Sequence, residues 1–157
     1  MPAHSPTSPA QWTAYNLPSG RAISAAADEA IKASRAAADR LGRVMVVVTA
    51  AAVRDVLTGC DHAAGFDAAH AELAANPDGA LRATGRYWTA AGEERTFADA
   101  VGAEEAGVGL FDMSEWTAYL DDSTADAWRP LVADLPDRDG RPAYRLDLAR
   151  AATLPLD

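Results

Sequence analysis

Val44-Met45-Val46-Val47-Val48 is the one continuous run of mostly β-branched side chains in this sequence. Branching at Cβ restricts χ1 and favours extended backbone. Five apolar residues without alternation predict a strand covered on both faces, in the middle of a sheet. Thr49 then reads as the cap of a helix over 50–58, with Val53, Val56 and Leu57 inward and Gly59 ending it. Before the run, Ile23, Ala27, Ala30, Ile31, Ser34, Ala38 and Leu41 recur at three- and four-residue steps. That spacing predicts a helix over 22–41, stopped by Gly42.

The remaining elements follow from the same patterns. Phe66, Ala69 and Leu73 predict a short helix over 63–75, and Asn76-Pro77-Asp78-Gly79 a turn. Residues 81–89 alternate as a strand, and 94–101 pair back as a hairpin. Residues 102–107 read as a loop and Val108 to Phe111 as a short strand. Asp112-Met113-Ser114-Glu115 fits a capping box that opens a helix carrying Trp116, Tyr119 and Leu120. Trp128, Leu131, Val132 and Leu135 have helical spacing, which Pro130 must kink or restart. After the turn at 137–140, Tyr144, Leu146 and Leu148 alternate as a last strand.

Helices and hairpins are partly segregated, so the expected class is α+β. It has about five mostly antiparallel strands with the central one at Val44–Val48, packed by an N-terminal helix and several short helices. Residues 1–19 hold Pro2, Pro6, Pro9 and Pro18 and read as a proline-rich N-terminal arm, from which Trp12 and Tyr15 dock on the domain or on a partner. Residues 20–157 form a single globular domain. A chain of 157 residues buries roughly 70% of its unfolded surface and needs no metal or disulfide to fold.

The single cysteine, Cys60, and the absence of a transmembrane run or signal peptide point to the reducing cytoplasm. Thirteen arginines against one lysine, with abundant alanine, carry the codon bias of a high-GC bacterial or phage genome. Charge is unevenly spread. Residues 1–90 are neutral overall, and the whole net of −9 lies beyond them. Glu93 to Asp139 holds thirteen acids against Arg95, Arg129 and Arg138. Such a field repels nucleic-acid phosphate and attracts basic partners.

Catalytic fingerprints are absent. Gly102 and Gly107 lack the lysine of a phosphate loop, and Gly107-Val108-Gly109 lacks the third glycine of a dinucleotide site. Arg82, Arg86 and Trp88 make a basic-aromatic strip too short to bind nucleic acid against the net charge. Cys60, His62 and His70 are the ligand types zinc prefers, with His70 expected on a helix, but a second ligand pair at structural-site spacing is missing. Cys60 with either histidine also has the composition of a thiol nucleophile and its base.

The leading expectation is therefore a small acidic cytoplasmic protein without a cofactor that binds a basic protein surface. Antitoxins, immunity-type inhibitors and phage- or plasmid-borne modulators have this profile. The expected contact residues are Glu93, Glu94, Glu104, Glu105, Trp116, Tyr119, Asp121, Asp122 and Asp126. The alternatives are a zinc-dependent or thiol enzyme at Cys60, His62 and His70, and a nucleic-acid mimic built from spaced carboxylates.

Overall fold

The computed structural model describes residues 2–5 and 15–157. Trp12, Pro6 and Pro9 lie outside the described residues, so the expected docking of the arm has only Tyr15 within them, where it is exposed. The chain divides into two compact units, Met1–Ser34 and Arg35–Asp157. The first holds the opening turns of helix α1 (Gly20–Thr58), and their side chains are exposed.

The second unit is a five-stranded antiparallel sheet with helices on one face, an α+β fold as expected. Strands β1 (His70–Ala75), β2 (Leu81–Trp88), β3 (Glu94–Thr96), β4 (Val132–Arg138) and β5 (Arg141–Asp147) lie in the order β3-β2-β1-β5-β4. The central strand is β1, not Val44–Val48. Ala71 and Leu73 point into the core while Glu72 faces the other way. Alanine-rich sequence hides this alternation, because alanine fits either face and favours helix by propensity. The helix expected over 63–75 is therefore a loop followed by β1.

Val44–Val48 lies within α1. Gly42, Val46, Thr49 and Val53 are buried at steps of four, three and four, which is a helical stripe running through the valine run. Valine costs a helix less than about 0.7 kcal/mol per residue. Burying Val46 and Val53 against the sheet outweighs that, at roughly 1.5–3 kcal/mol each. Thr49 does not cap anything. Its hydroxyl donates to the Met45 carbonyl one turn back, at 2.8 Å.

Gly42 does not stop the helix either. A Cβ there would sit 2.6 Å from Ala127 Cβ, so this glycine lets α1 approach helix α4 (Ala125–Trp128) closely. The helix ends at Gly59 as expected, where Gly59 and Cys60 both take positive φ and the Cys60 N–H returns to the Asp55 carbonyl.

Helices α2 (Phe97–Val101) and α3 (Ala103–Thr117) pack on β2. The strand expected at Val108–Phe111 is part of α3, and the loop expected over 102–107 is mostly its first turns. Gly109, inside that expected strand, sits in mid-helix against the Val56 side chain of α1, where a Cβ would collide. Pro130 falls in the first turn of a short 3₁₀ segment, Arg129–Leu131, so the helical spacing breaks there and passes into β4. Helix α5 (Leu148–Ala151) follows β5. Among the described residues no helix is long and apolar enough to cross a membrane.

Candidate functional site: the outer face of α3

Helix α3 carries two stripes at the same spacing. Ala106, Gly109, Leu110, Met113 and Thr117 face the core side, and of these Ala106, Met113 and Thr117 are buried. Val108, Phe111, Asp112, Glu115 and Trp116 stand at i, i+3, i+4, i+7 and i+8, which is a single helix face. Glu104 and Glu105 extend it by one turn, and Tyr119 lies just beyond the helix end.

The outer stripe holds the larger apolar groups. Phe111 is 75% exposed, Val108 55%, Tyr119 46% and Trp116 38%. A helix docked only on its own domain turns such side chains inward. Here they stand in water among four carboxylates, Glu104, Glu105, Asp112 and Glu115, all exposed. No lysine or arginine occurs between Arg95 and Arg129. None of these four acids is in an ion pair among the described residues. Glu104 and Glu105 also lie in the first turn of α3, where negative charge stabilises the helix.

The other expected contact residues have different surroundings. Glu93 pairs with Arg95 at 3.0 Å in the turn before β3. Glu94 pairs with Arg86, whose Nη2 donates to Oε2 at 2.8 Å. Asp121 is used as a cap. Its carboxylate accepts from the Ser123 N–H and hydroxyl, while its carbonyl accepts from Trp128 Nε1 at 2.9 Å. Asp122 and Asp126 are exposed on the next turns. Only Glu104, Glu105, Trp116 and Tyr119 of the expected set converge on the α3 face. Phe111, Val108, Asp112 and Glu115 belong to it and were missed, because reading 108–111 as a strand broke the helical period.

Cys60, His62 and His70 are not gathered into one site. Cys60 and His62 are exposed in the loop after α1, and His70 opens β1 rather than riding a helix. Among the described residues no group of three or more histidine, cysteine, aspartate or glutamate side chains is placed to hold a metal ion.

A second polar cluster occupies the charged face of the sheet. Glu72 is buried, and accepts from the Thr84 hydroxyl at 2.7 Å and from Arg86 Nη1 at 2.9 Å. Arg138 Nε lies 2.7 Å from its Oε1. Arg86 is shared with Glu94: its Nε approaches Glu94 Oε1 to 2.6 Å off the N–H axis, a charge contact without a hydrogen bond. The Glu94 hydrogen bond, and then the charge of Glu72, hold the Arg86 guanidinium more firmly protonated against its own desolvation. Its plane lies over the Trp88 ring at 4.7 Å. No sequence pattern marks this cluster, because Glu72 sits in an otherwise apolar stretch and its partners come from two other strands.

No protein-family model matches the chain, and neither a curated protein nor a solved structure matches it significantly.

Proposed function

We propose that this is a small cytoplasmic binding protein, of the antitoxin or immunity-inhibitor type, that docks the outer face of α3 on a basic protein surface. The observation that carries this reading is the exposure of Phe111, Val108, Trp116 and Tyr119 among unpaired carboxylates on one helix face. Aromatic anchors surrounded by like charges match a partner with an apolar groove rimmed by lysine or arginine. The anchors contribute burial, and the carboxylates contribute steering and register. Aromatic groups between the acids favour a protein partner over mimicry of nucleic acid, for which carboxylates alone suffice.

Immobilised protein incubated with a cell lysate tests this. The wild type is expected to retain a basic protein that elutes as salt is raised, because exposed charge pairs are screened. Phe111→Ser with Val108→Ser should retain none of it while unfolding at nearly the same denaturant concentration as the wild type. Equal retention by that double variant, or elution insensitive to salt, would rule the reading out.

A further inference from the structure

His70 of β1 and Asp147 of β5 are register partners. With Arg145, Arg150 and the segment Leu131 to Ala133 they line a cavity of about 160 Å³. Arg145 stands between Glu72 of β1 and Ala133 of β4. Glu72 is its natural counter-ion, but that carboxylate is already engaged by Thr84, Arg86 and Arg138. Arg145 is left without an ion pair among the described residues, and its Nε is buried with no hydrogen-bond acceptor. The Trp88 ring, 5.9 Å from the guanidinium carbon, offers a weak cation–π contact and accepts no such bond.

The rest of the wall adds one further cation and one carboxylate. Arg150 gives one N–H to the Pro130 carbonyl at 3.2 Å, and the guanidinium has further donors. Asp147 is the one carboxylate of the cavity, and its Oδ1 already accepts the Arg150 backbone N–H at 3.0 Å. Burial first, and Arg145 second, hold the His70 imidazole below its ordinary pKa, against the pull of Asp147. Arg145 and Arg150 thus bring two guanidinium groups to one cavity wall, and an oxyanion there would give their free N–H donors charge-assisted hydrogen bonds.

We propose that this cavity binds a small oxyanion, a carboxylate or phosphate group, between Arg145 and Arg150, with His70 beside it. The volume suits one such group. Sites for drug-sized ligands begin near about 300 Å³. The site is independent of the α3 face.

Calorimetric titration with inorganic phosphate and, separately, with acetate tests the proposal. Saturable one-to-one binding of a probe is expected. Tighter phosphate identifies a phosphoryl ligand, and tighter acetate a carboxylate. Arg145→Gln and Arg150→Gln should each weaken binding by about tenfold or more. Arg82→Gln, elsewhere on the sheet, should leave it unchanged. A second readout uses the wild type alone. The His70 ring-proton titration should move to higher pH when the probe is saturating, because a bound anion favours the imidazolium. No saturable binding of either probe, undiminished binding by folded Arg145→Gln, or an unmoved His70 midpoint would each overturn the proposal.

Discussion

Glu72 shows how much one residue organises. A carboxylate this buried persists only when its oxygens are engaged, and Thr84, Arg86 and Arg138 do that from β2 and β4. Removing one partner from a buried pair costs about 3–5 kcal/mol. Arg86 and Arg138 keep 28% and 39% of their side-chain surface exposed, so Glu72→Ala should fall at about 3 kcal/mol, the low end of that range. Urea denaturation measures it. His70 makes a second prediction. Its native pKa is lowered, so the unfolded chain takes up a proton that the native state does not. The His70 contribution is complete above the unfolded pKa of about 6.5. It is lost as pH falls below that value toward the native pKa. Stability of the wild type should drop over this window, and His70→Gln should flatten that part of the profile. At Asp121, loss of the cap should cost about 1 kcal/mol. Asp121→Ala therefore reports on stability, and Phe111 is the probe of binding.

At the scale of elements, α1 rests on close approach rather than on large side chains. Gly42 meets Ala127 and Thr124, and Gly109 meets Val56. Gly42→Ala gains helix propensity of about 1 kcal/mol, yet must push α4 away from α1. Overpacking of this kind costs about 1–3 kcal/mol, so the variant should be no more stable than wild type and is expected to be less so. Thermal unfolding of Gly42→Ala decides the sign. The same residue explains part of what the sequence concealed. Read alone, Gly42 ends a helix, Val44–Val48 makes a strand and Val108–Phe111 makes another. All three readings use local preference, and tertiary contact reversed each of them. Periodicity survived where side chains differed in polarity: β2, β5 and the stop at Gly59 were legible. It failed at His70–Ala75, where alanines give no contrast between faces. The acidic character of the α3 face was visible in composition. Its aromatic stripe emerged only once 103–117 became one helix.

At the scale of the molecule, the α+β class and the five antiparallel strands agree with expectation, although the central strand is β1 and helices cover one face of the sheet rather than both. The core on the helical face draws Leu73, Leu81, Tyr87, Phe97, Met113, Leu120, Trp128 and Leu146 together. The other face carries Glu72 and its arginines, and α3 turns its larger apolar groups outward. Surface substitutions away from packing contacts change stability by less than about 0.5 kcal/mol. Phe111→Ser should therefore leave the denaturation midpoint nearly unchanged while abolishing partner retention. Site-specific photo-crosslinking tests the central claim most directly, with the photoreactive residue placed at position 111 in one sample and at position 82 on β2 in another. The account predicts a cross-link from 111 to a basic protein, weakened by salt, and none from 82. Cross-links from 82 alone, or an acidic partner at 111, would contradict it.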